Sequence, residues 1–138
     1  MIIKVFGELP KDALDLRITV FVDEQGFVDE VDEFDNVATH LVMYDDEKAV
    51  ATCRFYLKED KETYMFGRLC VLKEYRGQSL GREMLKKVEE IVKEKGGKAI
   101  ILHSQYHAKD FYIRCGFTQQ GEIDYEQNKP HAWMRKEV

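Results

Sequence analysis

Apolar residues recur along this chain in two rhythms, which divide it into strands and helices. Ile2 to Phe6 is an apolar stretch of strand length. Pro10 suits a first helical turn, and Leu14, Ile18, Phe21 and Val22 follow at i, i+4, i+7 and i+8, so a core-facing helix is predicted from about Pro10 to Val22. Period-two alternation over Thr39 to Tyr44 and Ala49 to Leu57, joined by the polar Asp45-Asp46-Glu47-Lys48, predicts an antiparallel hairpin. A further strand, Tyr64 to Leu72, follows the charged turn Glu59 to Thr63. Leu80, Met84, Leu85, Val88, Ile91 and Val92 then line one face of a long amphipathic helix, with Ser79 as its N-cap and Gly96-Gly97 as its left-handed exit. Ala99 to Leu102 reads as a buried parallel strand, because a strand–helix–strand unit of this length is a crossover. A short helix between Gln105 and Phe117 ends on Gly116, and Thr118 to Tyr125 pairs with His131 to Lys136 as a closing hairpin around Gln127-Asn128-Lys129-Pro130.

The chain has 138 residues with no repeat, low-complexity tract or linker, so a single domain spanning 1–138 is expected. Its 26 acidic residues outnumber 21 basic ones, the wrong balance for affinity built on phosphate neutralisation, which excludes nucleic acid as the expected partner. The apolar runs are too short to span a membrane, and Met1-Ile2-Ile3-Lys4-Val5-Phe6 lacks a secretory signal's apolar region and cleavage site. A cytoplasmic location is expected. Cys53, Cys70 and Cys115 are odd in number and far apart, without C-x-x-C or zinc-ligand spacing, so they read as inert thiols and no metal site is expected.

The chemical signal lies between the strand ending near Leu72 and the long helix, in Tyr75-Arg76-Gly77-Gln78-Ser79-Leu80-Gly81-Arg82. The first N–H groups of a helix have no intrahelical partner, the macrodipole adds partial positive charge, and glycine allows close approach of an anion. The loop is therefore a competent pyrophosphate cradle. It matches neither a Walker A loop nor a dinucleotide fingerprint. A second group, Phe111-Tyr112 with Gly116-Phe117, follows one helix and one strand later.

With both groups in place, the chain resembles the GNAT family of acyl-CoA-dependent N-acetyltransferases over nearly its whole length. The family's Q/R-x-x-G-x-G/A loop falls on Arg76, Ser79 and Gly81. Arg17 to Gln25, Asp35, His40, Gln105 and Pro130-His131 further resemble the ElaA-like branch. Ser79 departs from the pattern, standing where the loop has glycine; a serine there is expected to need an ordinary backbone conformation. The resemblance implies an α/β GNAT fold, a mixed and mostly antiparallel sheet split at its centre with helices on both faces. It also implies acetyl-CoA or coenzyme A as co-substrate. Its pyrophosphate would lie on the amides of Gln78 to Arg82 with charge-assisted contacts from Arg76 and Arg82, and Gly77, Gln105 and Tyr112 are expected among the other cofactor-binding residues. Leu69, Cys70 and Val71 would flank the pantetheine, and the Val71 N–H would face the developing oxyanion. Tyr112 matches the family's proton donor to the departing thiolate. A phenol near pKa 10 suits a thiolate whose conjugate acid is near 8.5.

Four residues stand as general-base candidates: Glu24, His40, His103 and His131, each of which has a structural reading as well, and water is a fifth route. Asp23, Glu24, Asp29, Glu30, Asp32, Glu33 and Asp35 form an acid run uninterrupted by Lys or Arg. It fails the calcium-loop template, lacking the glycine after the third acid and carrying His40 where the bidentate Glu belongs. It reads either as a solvated loop or as an anionic rim for a cationic amine. The expected activity is acetyl transfer from acetyl-CoA to a primary amine, small or peptidic and expected to be cationic, by direct attack. The alternative is a non-catalytic acyl-CoA sensor. Edge pairing at the C-terminal hairpin would build a homodimer.

Overall fold

Seven strands and three helices alternate in the computed structural model, which describes residues 1–28 and 31–138. The strands are β1 (Ile2–Phe6), β2 (Thr39–Asp45), β3 (Lys48–Leu57), β4 (Thr63–Val71), β5 (Ala99–Gln105), β6 (Thr118–Glu126) and β7 (Lys129–Glu137). The helices are α1 (Lys11–Arg17), α2 (Leu80–Glu94) and α3 (Lys109–Arg114). Strand order is β1-β2-β3-β4-β5-β7-β6 in one mixed sheet. The pairs β1/β2, β2/β3, β5/β7 and β6/β7 are antiparallel and β4/β5 is parallel, as the crossover through α2 requires. No helix among the described residues is long and apolar enough to cross a membrane.

The chain forms two compact units. Residues 1–56 with 68–88 make the first, and residues 57–67 with 89–138 the second. In the first, Ala13, Leu16, Val20 and Phe21 pack with Phe27, Val42, Tyr44 and Cys70, and Phe6, Leu9, Ala49 and Leu72 close the cluster. The stripe read from the sequence is displaced here. Of its four positions Phe21 is buried, Leu14 and Val22 are half-buried and Ile18 is exposed, and Phe21 is joined in the core by Ala13, Leu16, Arg17 and Val20. The cause is a charged residue in the core face: Arg17 is 1% exposed because its guanidinium is neutralised there. The helix also runs past the expected Val22. From Ile18 to Glu24 it widens into a π turn, with the Gln25 N–H donating to the Val20 carbonyl five residues back. Pro10 stands in extended backbone as N-cap rather than inside the first turn.

In the second unit, Thr63 to Phe66 register with Ala99 to Leu102, and His103, Ser104 and Gln105 continue against Trp133, Ala132 and His131 of β7. The closing hairpin is tighter than expected. Gln127 and Asn128, with φ +48° and +62°, form a two-residue turn. Lys129 and Pro130 already belong to β7, where a proline at a strand's start removes no central ladder bond. Helix α2 keeps its predicted apolar face, with Leu80, Met84, Leu85, Val88 and Val92 buried. It leaves through left-handed Gly96, whose N–H reaches the Lys93 carbonyl, while the Gly97 N–H reaches that of Val92.

Candidate functional site

The residues of the first unit build the loop that precedes α2. Strand β4 ends at Val71, Lys73 to Tyr75 make one 3-10 turn, and Gly77 turns left-handed at φ +84° with open space where a side chain would stand. Tyr75 anchors the turn by donating its hydroxyl to Asp45 at 2.9 Å, a bond that raises the phenol's pKa. Ser79 also takes a left-handed conformation, φ +62°. The expected ordinary backbone at this serine is thus corrected: the loop imposes the glycine geometry on it, at a cost of about 1–2 kcal/mol. That backbone is also not the extended one that a side-chain N-cap ordinarily takes. The Ser79 carbonyl does accept the first helical bond, from the Glu83 N–H at 3.1 Å. The N–H groups of Leu80, Gly81 and Arg82 thus lie in the first turn, beyond reach of any intrahelical carbonyl. Gln78 and Ser79 are exposed beside them and Leu80 is buried.

Arg76 makes contacts that sequence spacing does not foresee. Its Nη1 and Nη2 donate to Glu24 Oε2 and Oε1 at 2.7 and 3.0 Å, and its Nε donates to the Val71 carbonyl at 2.9 Å. The fork expected to meet pyrophosphate therefore clamps the exit of the α1 π turn to the end of β4. The Arg76 hydrogen bonds hold the Glu24 carboxyl below its ordinary range, which weakens it as a base. His40 is 1% exposed and its Nε2 lies 3.0 Å from the Asp35 carbonyl, which can only accept. The proton therefore sits on Nε2, and burial favours the neutral ring. Leu69 and Val71 are half-buried, and Cys70 packs in the core of this unit. Cys53 is buried too, its thiol pushed up by burial, whereas Cys115 is half-buried.

The acid run has been divided by arginines that are distant in sequence. Asp35 is 3% exposed and takes Arg17 Nη1 and Nη2 at 2.8 and 2.9 Å and Arg54 Nη1 at 2.9 Å. Asp32 takes Arg54 Nη1 at 2.6 Å, Arg54 Nη2 at 2.9 Å and Arg68 Nη2 at 3.2 Å. Asp32 and Asp35 also close a capping box over the 3-10 turn Glu33–Asn36. The reading of these acids as an anionic rim is corrected for three of the seven: Glu24, Asp32 and Asp35 are spent on ion pairs. Asp29 and Glu30 lie outside the described residues. What the sequence analysis missed is the cation set. Arg54 in the middle of a mostly apolar strand, between Cys53 and Phe55, was the available signal.

The remaining candidates lie in the second unit. Tyr112 on α3 is 7% exposed and meets Phe66, Phe111 and Phe117 edge-on, with ring centroids at 6.3, 5.0 and 5.8 Å. Gln105 ends β5 and its Oε1 lies 2.8 Å from His107 Nε2. His103 stacks between His131 and Trp133, at 4.7 and 4.6 Å, and its Nε2 lies 2.6 Å from Asp124 Oδ1. His131 is 2% exposed, with Nδ1 2.8 Å from the Lys129 carbonyl. Asp124 was not anticipated, because a bulge in β6 decides its place.

Three comparisons with known proteins bear on this arrangement. The family model of the acetyltransferase (GNAT) family matches residues 10–117. The Bacillus subtilis protein YyaT is 36% identical over 133 residues, covering 92% of this chain and 88% of its own. Escherichia coli ElaA is 30% identical over 130 residues, 91% of this chain and 85% of its own, and its crystal structure superposes with a TM-score of 0.86 over 99% of both chains at 27% identity. An acyl-CoA N-acyltransferase from Pseudomonas aeruginosa superposes equally well, with a TM-score of 0.86 at 25% identity over 98% of each chain. With the left-handed loop opening α2, the parallel β4/β5 register and these likenesses together, the chain belongs to the GNAT acetyltransferase family, in its ElaA-like branch.

Proposed function

We propose that this protein acts as one N-acetyltransferase domain, moving an acetyl group from acetyl-CoA to a primary amine, small or peptidic. The observation that carries the reading is the first turn of α2, where successive N–H groups open onto exposed Gly77, Gln78 and Ser79. Such a terminus fits a pyrophosphate, through unspent donors and the helix dipole. The Pseudomonas relative, described as an acyl-CoA N-acyltransferase, supports the cofactor class. Arg82 and the remaining guanidinium hydrogens of Arg76 would add charge-assisted donors.

In the proposed reaction the neutral amine nitrogen attacks the thioester carbonyl, forming a C–N bond and a tetrahedral oxyanion. Collapse breaks the C–S bond; the thiolate leaves with a proton from the Tyr112 hydroxyl, and the proton shed by the amine returns to the phenolate through solvent. The Val71 N–H would stabilise the oxyanion. The Arg76 clamp on the Val71 carbonyl would fix that peptide plane. Among the base candidates, Glu24 is held ionised by Arg76, and His40 is buried with its proton committed to a carbonyl. His103, His131 and water carry the base role in this reading. The acceptor is a primary amine without a stated charge, because Glu24, Asp32 and Asp35, three of the seven acids that argued for a cation, are neutralised by Arg17, Arg54, Arg68 and Arg76.

Replacing Tyr112 by Phe tests the proposal by thiol release. The variant keeps acetyl-CoA binding and loses about 10²-fold in kcat, the contribution of a general acid. A non-catalytic acyl-CoA sensor would show no amine-dependent thiol release in either protein.

A further inference from the structure

The second unit gathers two imidazoles and two carboxylates on one sheet face, and the register explains how. His103 lies opposite Trp133, and Gln105 opposite His131, so the two histidines are diagonal neighbours on adjacent strands. On the other side of β7 the register slips: Gln120 pairs with Trp133, but Asp124 rather than Glu122 pairs with His131. Left-handed Gly121, φ +77°, sits in this bulge. The slip draws Asp124 and Glu126 to the two histidines. His103, Glu126 and His131 each present one ligand atom, all within 4.8 Å of one another.

The hydrogen bonds prepare both rings. The Lys129 carbonyl can only accept, so His131 carries its proton on Nδ1, and its Nε2 lies 3.7 Å from Glu126 Oε2. A backbone carbonyl on the far nitrogen is the arrangement that orients a metal-ligating histidine. Asp124 holds the His103 ring from 2.6 Å, and His103 keeps its carboxyl below the ordinary range. The inner ligand is rigid and the outer ones can adjust: the His131 side chain is 3% exposed, His103 20%, and Glu126 51%.

We propose that His103, Glu126 and His131 bind a borderline divalent cation of the zinc class, with Asp124 fixing the His103 ring. Two imidazoles and a carboxylate form the N/O set that such ions take, with one position left for water. Calcium and magnesium prefer oxygen alone, and copper(I) prefers sulfur. Bonds of about 2.0–2.2 Å place tetrahedral ligands about 3.5 Å apart, so the cage must contract by roughly 1 Å, which exposed Glu126 allows. Two carboxylates at the site match the charge of the ion. Binding needs no acyl-CoA, but an ion here would take the lone pairs of both histidines and leave the base role in acetyl transfer to water.

The test uses the full chain freed of metal by chelator and dialysis, titrated calorimetrically with Zn²⁺, and with Co²⁺ while its visible absorption is followed. One equivalent of Zn²⁺ binding with a Kd of about 1 µM or below is expected, together with the intense bands of four-coordinate Co²⁺. His103→Ala should lose binding by about 100-fold or more, and Asp124→Asn should weaken it by about 10- to 100-fold. Glu126→Gln, at an exposed position that leaves the fold intact, should weaken it too and alter the Co²⁺ spectrum. No binding by the wild type overturns the proposal. So does binding that His103→Ala and Glu126→Gln both leave unchanged.

Discussion

Asp35→Asn isolates the interaction that most shapes the first unit. Asp35 is 3% exposed and receives both Nη atoms of Arg17, one from Arg54 and the Asp32 backbone N–H at 3.0 Å. Burial alone would raise its pKa, but the bonds from Arg17, Asp32 and Arg54 outweigh it and hold the carboxyl well below the usual range. Asparagine keeps the shape and removes the charge, which leaves two buried guanidinium groups facing a neutral amide. Breaking a buried pair in this way costs about 3–5 kcal/mol. For 138 residues the unfolding entropy is about 0.3 kcal/mol/K, so the midpoint should fall by about 10–17 °C. The exposed pair Lys11–Asp15, with side chains 84% and 56% exposed, supplies the control: Asp15→Asn should cost under about 1 kcal/mol. Differential scanning calorimetry at pH 7 reads both. The same residue predicts a pH dependence. Its folded pKa lies below the unfolded value of about 3.9, so its contribution is complete above that value and fades as pH falls towards the folded one. Wild-type stability should therefore drop more steeply than that of Asp35→Asn below about pH 4. A midpoint shift below about 3 °C, or parallel acid profiles, would refute the argument that this carboxylate neutralises the core arginines.

Two other substitutions test backbone and packing. Ser79→Gly relieves a left-handed serine at φ +62° and should leave stability equal or higher, by up to about 1 kcal/mol once the extra freedom of the unfolded chain is deducted, as thermal unfolding would read. Gly97→Ala brings a methyl to 2.5 Å from Val92 Cγ1 and 2.9 Å from Tyr64 Cε1, so a loss of about 1–3 kcal/mol is expected in urea unfolding.

The strands were legible as apolar runs of strand length bounded by polar turns, although β2 and β3 are buried on both faces and do not alternate, and α2 was legible because its apolar positions are purely aliphatic. The stripe of α1 was misplaced because periodicity scores Arg17 as polar, and only partners 18 and more residues away make it a core residue. The acid run misled for the matching reason. Nothing local says that Asp32 and Asp35 meet Arg54 and Arg68 from β3 and β4. At the candidate site, the loop was readable from its glycines, but the left-handed Ser79 was not, since backbone strain is imposed by the surroundings. Asp124 escaped notice because strand register within a bulge has no sequence signature beyond a glycine, here Gly121.

Calorimetric titration with acetyl-CoA and with CoA, on the wild type and on Gly81→Glu, tests the central claim most directly. A carboxylate in the first turn of α2 would repel a pyrophosphate from the amides that should hold it. The account predicts micromolar binding by the wild type and its loss in Gly81→Glu with the fold intact by circular dichroism. Equal binding by the two proteins, or none by the wild type, would contradict it.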